Sequence, residues 1–443
     1  MSRNAVTDAY LDAARDVPWD SVRRSALAAA DLGGSIFRNR CLTRPAFLSA
    51  AERDLLEGDL GHLHDALTAL PARLFGGDLG AFARAAGMTE AQTTAVLRGQ
   101  GAAPTRLTRA DMYHDGTNFR LMELNIGSAV GGMDNGLLNR AVLADPFLAG
   151  FAAEHRLSYV DTMGELADML KTEYKTDDGH PPLFAAVDWP ESFPSTEALL
   201  RTSADALAGY GVEILPCHLG QLDLSGGRVR LGGRVIDVVY RVFLIEDLLD
   251  PAAPALIDPL LRMVERGEVA MFSPMDAELY GSKAALAMLS DEANRDRFTP
   301  AELASLDRVL PWTRRVRDEP VTVPGGTADL LPYAAERREE LVLKPTMMHG
   351  GLGVVLGWQA SPADWDAALR AAVDGPYVLQ DRIRADPELF PAEAGPEQQI
   401  VNWGVFTVSR GFGGAIVRAS TDLSGSVLNS TGGAVLGCCF HQQ

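Results

Sequence analysis

Hydrophobic residues between about positions 156 and 250 alternate between two kinds of spacing, and this alternation restricts the fold more than any other feature. A helical spacing from Thr162 to Tyr174 precedes an apolar strand, Leu183–Val187. A second helical spacing, from Ser195 to Tyr210, precedes the strand Val212–Leu215. Helices that alternate with buried strands are typical of a parallel, doubly wound sheet. We therefore predict an α/β layer in the middle of the chain.

The spacing of hydrophobic residues changes in the sequence before and after this layer. Residues 1–105 are rich in Ala and Leu at helical spacing, whereas a period of two begins at Leu107 and continues around the turn His114–Asn118. Strands and helices are mixed after about position 268. We predict an α/β fold class with α+β lobes, divided into a helical N-terminal region (1–105), a hairpin with a glycine-rich loop (106–155), the α/β layer (156–265) and C-terminal lobes (266–443).

Composition and charge exclude several classes of protein. The formal net charge is -19 and the isoelectric point is near 4.8, which argues against a nucleic-acid binder because such proteins need a concentrated basic surface. No run of 18 apolar residues is present, and Asp8, Asp12 and Asp16 interrupt what would otherwise resemble a signal peptide. We expect a cytoplasmic protein with no membrane partner. The four scattered cysteines are expected to be thiols.

The predicted hairpin carries acidic and amide side chains. Arg109 and Asp111 lie on its first strand, and a period of two places Glu123 and Asn125 on one face of its second strand. A register centred on the turn places Asp111 opposite Leu121, one diagonal step from Glu123. Hard oxygen ligands of this kind suit Mg²⁺. We predict a metal site formed by Asp111, Glu123 and Asn125; an exposed hairpin with ordinary charges is the alternative.

A glycine-rich loop, Gly127–Gly132, follows the acidic strand directly. Small residues allow backbone N–H groups to approach an anionic ligand closely. We predict substrate contacts at Ser128, Gly131 and Gly132. An ordinary glycine-rich turn is the alternative.

A second candidate site begins at Lys344, which ends an apolar strand and is followed by Gly350, Gly351 and Gly353. A lysine in this position can bind one phosphate while flexible backbone covers the others. The segment matches neither the GxxxxGK[ST] phosphate loop nor a dinucleotide GxGxxG motif. Its spacing fits a hairpin that covers a nucleotide, although a plain glycine-rich turn would have the same composition.

Two weaker signals accompany this segment. Lys283 lies in the first turn of a helix, where the helix dipole favours negative charge; a bound phosphate would explain a cation there, and a solvated lysine is the commoner case. An apolar strand runs into polar residues at Gln380, Asp381 and Ile383. This form suits an adenine pocket, and an ordinary strand end is the alternative.

Three further polar residues are candidates for contact with reacting groups. Arg418 follows an apolar strand and could clamp a transferring phosphoryl group. Asn429 lies a little beyond it and could bind metal or orient substrate. Arg241 is a comparable cation on an earlier strand. Each of them could equally be a structural ion-pair partner. The pattern favours a functional role only for Arg418.

Taken together, these motifs resemble the circularly permuted ATP-grasp enzymes, most closely the glutathionylspermidine synthetase-like group and related amide synthetases of natural-product pathways. The resemblance covers about residues 105–435. In conventional ATP-grasp chains the lysines precede the acidic metal residues, whereas here the set at positions 111–125 comes before Lys283, Lys344 and Gln380. The chain departs from the spermidine enzymes because it has no amidase domain and reads Gly-Ser-Ala-Val-Gly-Gly after Asn125.

The resemblance implies a circularly permuted ATP-grasp fold with a pre-ATP-grasp α/β layer, in which the hairpin belongs to the grasp core. It implies that Lys283 and Lys344 contact ATP phosphates, that the segment from Gln380 to Ile383 holds adenine, and that Arg109 contacts the transferring phosphate or an acyl phosphate. It supports Mg²⁺ binding by the hairpin.

The function that follows is an ATP- and Mg²⁺-dependent ligase joining a carboxylate to an amine through an acyl phosphate. The expected partners are small molecules, a carboxylate and an amine of amino-acid, peptide or polyamine type, and homodimer formation is left open. A small-molecule kinase on the same scaffold and a non-catalytic nucleotide-binding protein are the alternatives.

Overall fold

A computed structural model of the chain describes residues 4–29, 37, 40–101, 104–127, 130–348, 350–425, 428 and 434–443. Its element order matches a mixed α/β protein. The first part of the chain contains, in order, α1 (Ala5–Ala13), α2 (Ser21–Ala28), β1 (Ala46–Leu48), α3 (Ala50–Thr68), α4 (Leu70–Phe75), α5 (Leu79–Ala86), α6 (Glu90–Arg98), β2 (Thr108–His114), β3 (Phe119–Ile126), α7 (Asn135–Val142), α8 (Pro146–Glu154) and β4 (Leu157–Ser158).

The middle of the chain forms the alternating elements that the spacing predicts. They are α9 (Thr162–Glu173), β5 (Phe184–Asp188), α10 (Phe193–Ala208), β6 (Ile214–His218), β7 (Arg230–Leu231), β8 (Arg234–Val235), β9 (Val238–Arg241), α11 (Ala253–Glu265) and β10 (Ala270–Phe272).

The remaining elements form the C-terminal part. They are α12 (Ala277–Gly281), α13 (Lys283–Ser290), α14 (Pro300–Val309), β11 (Thr313–Arg315), β12 (Pro320–Val323), β13 (Gly326–Asp329), α15 (Leu330–Glu336), β14 (Leu341–Pro345), β15 (Val355–Leu356), α16 (Pro362–Ala372), β16 (Tyr377–Asp381), β17 (Glu388–Phe390), β18 (Glu397–Val408), β19 (Gly411–Ser420) and β20 (Val435–Gln442).

A parallel sheet in the order β10-β9-β5-β6 occupies the middle of the chain. This confirms the predicted parallel α/β layer. Its last strand begins at Ile214, two residues after the predicted start at Val212. The carboxyl ends of parallel strands share one edge of a sheet, and in open α/β sheets ligands bind at that edge.

A larger sheet joins distant parts of the sequence in the order β1-β20-β19-β18-β2-β3. β18 pairs antiparallel with β2, so strands near the C-terminus extend the acidic hairpin. The region 1–105 contains helices, as predicted, but it also contributes β1, which pairs parallel with β20. Helical spacing did not reveal this strand because β1 has only three residues, all of them buried.

A third sheet, in the order β11-β16-β14-β15, forms a small antiparallel lobe. Its hydrophobic core includes the fully buried Trp365 on α16. The indole Nε1 of Trp365 donates a hydrogen bond to the carbonyl of Ala334, which fixes α16 against α15. This packing holds β14 and β16 side by side.

Within the ranges that the structure describes, no helix combines the length and the apolar character needed to cross a membrane.

Candidate functional site

A cavity of about 610 Å³ lies between the hairpin β2–β3, the N-terminal end of α13 and the small lobe. It is where most of the predicted site residues meet. Those that line it are Arg109, Asp111, Glu123, Asn125, Lys283, Lys344, Gly350, Gly351, Gln380, Asp381, Ile383 and Arg418.

The hairpin register brings the two carboxylates closer together than the sequence predicts. Asp111 lies directly opposite Glu123, and the predicted pairing of Asp111 with Leu121 is wrong. The cause is a bulge, because the register shifts between Asp111 and Met112, so that Met112 pairs with Leu121. A bulge adds one residue to a strand and re-aims the side chains beside it. Both carboxylates line the cavity as a result.

Asp111 lies at the centre of a network of arginine and amide groups. Nε and Nη2 of Arg109 lie 2.7 and 2.9 Å from its two carboxylate oxygens, and a guanidinium nitrogen of Arg418 lies 3.5 Å from Oδ1. The amide Nδ2 of Asn125 donates to Oδ2 at 3.3 Å. Arg418 comes from β19, where it also donates to the side-chain oxygen of Asn402 at 2.8 Å. The large sheet therefore places Arg418 against the hairpin.

Burial and charge act in opposite directions on the two arginines. Burial alone would lower the pKa of Arg109, but the charge and hydrogen bonds of Asp111 outweigh it and raise that pKa. Burial lowers the pKa of Arg418, and Asp111 only partly compensates. Gly404 makes room for this network, because a Cβ there would lie 2.9 Å from Cδ of Arg109 and 3.2 Å from Oδ1 of Asp111.

Lys344 points into the cavity from β14. Its side chain is buried, and Nζ donates to Oε1 of Gln380 at 2.6 Å and to the carbonyl of Met122 at 3.1 Å. Burial lowers the pKa of Lys344 to about 7; the negative charge of Glu123 opposes this shift and the positive charge of Lys283 adds to it. A buried ammonium held mainly by neutral oxygens is poised to pair with an incoming anion.

Lys283 approaches the same space from another element. It is the first residue of α13, whose N-cap is Ser282. Nζ lies 3.1 Å from Oε2 of Glu123 and donates to the carbonyl of Met348 at 3.0 Å. A cation at a helix N-terminus adds to the positive end of the helix dipole, so the position attracts an anion such as phosphate.

Lysine is rare in this chain, so the presence of both Lys283 and Lys344 in one cavity is informative. The chain contains four lysines, Lys171, Lys175, Lys283 and Lys344, and arginine supplies the other basic side chains. Lys171 and Lys175 are exposed, whereas Lys283 and Lys344 are buried and line the cavity. Lysine suits a phosphate site because its ammonium is a compact charge with three donors.

The small lobe forms the other end of the cavity. Gln380, Asp381 and Ile383 line it where β16 ends, and burial raises the pKa of Asp381. Gly350 and Gly351 also line it, but Gly353 does not, because it packs against the ring of Pro345 instead. We call the glycine-rich segment 348–353 the flap; His349 within it lies outside the described residues.

Comparisons with known proteins bear on the fold. No family model matches the sequence, and no curated protein matches it. Among solved structures, a glutathione synthetase-like effector from Globodera pallida in its apo form is similar, with 13% identity, a TM-score of 0.55, and coverage of 99% of this chain and 98% of that chain. This likeness shows the fold. A candidate gamma-glutamylcysteine synthetase from Methylobacillus flagellatus KT has 12% identity and a TM-score of 0.41, covering 89% of this chain and 84% of its own.

The structure does not bring all of the predicted substrate-contact residues to the cavity. Ser128 and Asn429 lie outside the described residues. The carbonyl of Gly131 accepts a hydrogen bond from Nη1 of Arg109 at 2.8 Å, so the loop reaches the site. Gly132 faces Ile416 instead, since a Cβ there would lie 2.8 Å from its Cδ1. Arg241 is only 1% exposed and lies behind the cavity wall, so the arrangement offers no direct contact with substrate.

Several cavity residues were not anticipated from the sequence. Trp358 lines the lobe end, where its ring centre lies 3.9 Å from the guanidinium carbon of Arg382, a residue of the predicted segment from Gln380 to Ile383. Tyr113 and Glu278 line the part nearer the hairpin. The period of two on β2 could have suggested Tyr113, which lies two residues after Asp111 on the same strand. Trp358 and Glu278 had no distinguishing sequence signal.

The donor set fits a metal that arrives with a phosphate ligand. Within the described ranges, no group of three His, Cys, Asp or Glu side chains is arranged to hold a metal ion by itself. Asp111, Glu123 and Asn125 supply two carboxylates and one amide. Magnesium is usually held by one or two carboxylates and completes its coordination with water and substrate phosphates. The residues present therefore suit Mg²⁺ bound together with a nucleotide.

Proposed function

We propose that this protein is an ATP-dependent carboxylate–amine ligase that forms ADP, built on a circularly permuted ATP-grasp fold. One observation carries the proposal: Lys283 and Lys344, from different elements, meet the acidic pair Asp111 and Glu123 in one cavity. The shared fold with a glutathione synthetase-like protein supports it. The permuted order is supported by the position of the acidic hairpin, which precedes both lysines in the chain.

The charges in the cavity suit a polyphosphate. Near the acidic pair Asp111 and Glu123, the lining includes the cationic side chains Arg109, Lys283, Lys344 and Arg418. The lysines and Arg418 would hold the phosphates and neutralise charge that develops during phosphoryl transfer. Magnesium, when bound, would supply further positive charge to the phosphate oxygens.

Positions along the cavity suggest how substrates would be arranged. The base would lie at the lobe end, beside Gln380, Asp381 and Ile383, and the phosphates would extend toward the hairpin. The carboxylate to be activated would lie beside Arg109, where its acyl phosphate could meet an amine. The flap that begins at Met348 would cover the phosphates and exclude water, which matters because acyl phosphates hydrolyse readily.

The reacting partners proposed here are small molecules: a carboxylic acid and an amine of amino-acid, peptide or polyamine type. The charge of the cavity gives no reason to expect a macromolecular substrate. A role in natural-product or peptide biosynthesis is consistent with such partners.

The decisive experiment is an acceptor screen on the full chain. Mg–ATP is supplied with pairs drawn from a set of carboxylic acids and a set of amines, ADP release is measured, and products are identified by mass spectrometry. We expect ADP release that requires both members of one pair, with an amide as the product. A phosphorylated product that forms without any amine would identify a kinase and overturn the ligase proposal.

The same screen should include binding of Mg–ATP by calorimetry. No detectable nucleotide binding under conditions where the protein is folded would contradict both enzymatic assignments. Binding of the nucleotide with no ADP release from any pair would favour a non-catalytic protein.

A further inference from the structure

The lining of the cavity includes a carboxylate that the phosphate chemistry does not require. Glu278, on α12, lines the cavity, as do the apolar side chains of Val130 and Leu244. Glu278 is 7% exposed, so its carboxylate is largely withdrawn from solvent but open to the cavity. A buried carboxylate placed beside apolar groups needs a cationic or hydrogen-bonding partner.

One oxygen of Glu278 has such a partner within the protein. Its Oε1 lies 2.6 Å from Nη1 of Arg241, which is itself 1% exposed. Oε1 is the oxygen that this contact occupies. A carboxylate can accept about four hydrogen bonds, so Glu278 keeps acceptor capacity for a ligand in the cavity that it lines.

Arg241 is held rigidly, which fixes the position of Glu278. Nε and Nη2 of Arg241 donate to the carbonyl and the hydroxyl of Ser273 at 2.6 and 3.0 Å, and Nη1 donates to the carbonyl of Phe243 at 2.7 Å. Ser273 has a φ of 58°, a backbone conformation that is costly for a residue with a side chain. Such a backbone conformation persists where surrounding contacts stabilise it. Here the contacts of Ser273 fix Arg241, and Arg241 in turn positions the carboxylate of Glu278 at the cavity.

Other carboxylates lie near Glu278. Burial raises the pKa of nearby Asp247, and the charges of Asp188, Glu278 and Glu191 raise it further. Of these acidic groups, Glu278 lines the cavity. Its carboxylate attracts a cationic ligand group, whereas Lys283, Lys344 and Arg418 in the same cavity attract an anion.

We propose that Glu278 binds an ammonium group of a substrate, with Leu244 and Val130 contacting the carbon chain that bears it. This assignment rests on the proposed ligase function and specifies its substrate class. The ammonium could belong to an amino acid whose carboxylate is activated, or to a diamine that acts as the acceptor. Both share the same chemistry, a cationic nitrogen beside an aliphatic chain.

Calorimetry on the full chain with Mg–ADP present tests this without requiring turnover. One comparison sets 1,4-diaminobutane against 1,4-butanediol, which has the same chain but no ammonium, and the other sets L-glutamate against glutarate. We expect the probe that carries the ammonium to bind more tightly than its matched analogue in one comparison, and that comparison identifies the source of the ammonium. Equal binding of the matched probes in both comparisons would overturn the proposal.

The variant Glu278→Gln keeps the shape of the side chain and should weaken the ammonium probe about 10- to 100-fold. The affinities of the matched analogue that lacks the ammonium and of Mg–ATP should change less than about twofold, a pattern that loss of a purely structural ion pair would not produce. Glu268→Gln, at an exposed pair with Arg266, is the matched control. Unchanged selectivity in Glu278→Gln would contradict the assignment.

Two further measurements separate the possible failures. If Glu278→Gln does not fold, as judged by thermal unfolding, the comparison of matched probes on the unaltered protein still decides the question. If Mg–ATP and Mg–ADP do not bind, the ligase proposal fails, whereas the probe titrations repeated without nucleotide still test the ammonium site by itself.

Discussion

The ammonium group of Lys283 lies 3.1 Å from a carboxylate oxygen of Glu123. This contact links the N-terminal end of α13 to the acidic strand β3. Because Glu123 also lies directly opposite Asp111, the contact places a candidate phosphate ligand beside a candidate metal ligand. A bound Mg–nucleotide would compete with this ion pair for both partners, so either side chain is a sensitive site for mutation.

Replacing Glu123 by glutamine should reduce ATP turnover by about 100-fold or more, because removal of one preorganised electrostatic contact at a reacting group has an effect of that size. The side chain keeps its shape but loses the charge that binds Mg²⁺. The measurement is the rate of ADP formation as a function of Mg²⁺ concentration, and the variant should require more Mg²⁺ for half-maximal rate.

Glu197→Gln is the control for this change, because Glu197 forms an exposed pair with Arg201 on α10. It should leave the rate and the Mg²⁺ requirement unaltered. If Glu123→Gln turns over ATP as fast as this control, the metal assignment of the hairpin is incorrect.

Replacing Lys344 by methionine should weaken Mg–ATP binding about 10- to 100-fold, since a charge-assisted hydrogen bond to phosphate is lost. Methionine has a similar length and suits the buried position. Calorimetric titration of Mg–ATP gives the affinity directly. Lys175→Met is the matched control, because Lys175 is an exposed lysine remote from the cavity lining, and equal losses in both variants would refute the role of Lys344.

Lys344 also predicts how stability depends on pH. The pKa of Lys344 is about 7 in the folded protein, whereas the ordinary lysine value, which applies to the unfolded chain, is 10.5. Between these two values the unfolded chain holds a proton that the folded protein has released, so the free energy of unfolding should rise with pH, by about 1.4 kcal/mol per unit at most. Burial of Lys344 costs no stability above pH 10.5, where the lysine is neutral in both the folded and the unfolded chain. The cost is complete below pH 7, where the lysine is protonated in both states.

Urea unfolding of the protein and of Lys344→Met at pH 7 and pH 9 measures this contribution. The stability of the unaltered protein relative to the variant should increase by about 2 kcal/mol between the two conditions. The difference between the two proteins cancels the titration of other groups. A difference that does not change with pH would show that Lys344 titrates in its ordinary range.

Replacing Gly127 by alanine should destabilise the fold by about 2–4 kcal/mol, from the cost of a positive φ and from overpacking. Gly127 has a φ of 101°, and a Cβ there would lie 2.0 Å from the hydroxyl oxygen of Ser273. The clash would displace the group that holds Arg241. Thermal unfolding gives the change in stability.

Gly131→Ala is the matched control on the same loop. A Cβ at Gly131 meets nothing within 4 Å, and its φ is not positive, so stability should change by less than about 1 kcal/mol. Comparable destabilisation by both substitutions would show that the loop tolerates no side chain in general, rather than being restricted by Ser273.

Much of the fold follows from periodicity. The parallel layer, the hairpin and the strand that ends in Lys344 follow from local spacing, because alternation of buried and exposed residues is encoded in neighbouring positions. The strand β1 and the bulge after Asp111 do not follow, since one is three residues long and the other depends on pairing with a partner strand. From the resemblance to the ATP-grasp enzymes we expected the lysines and the acidic residues to share a site. The distances between them and their hydrogen-bond partners come only from the tertiary structure.

By itself, the sequence determined the types of residue available and their order along the chain: acids and an amide on one hairpin, then the lysines, then Arg418. The tertiary structure decided which of them meet. Asp111 and Arg418 are brought together by β18 lying between their strands. Arg241 and Glu278 pair because a strand end and a helix pack together, and that packing makes Arg241 a support for Glu278. Such contacts depend on burial over long separations in the chain, which no local pattern specifies.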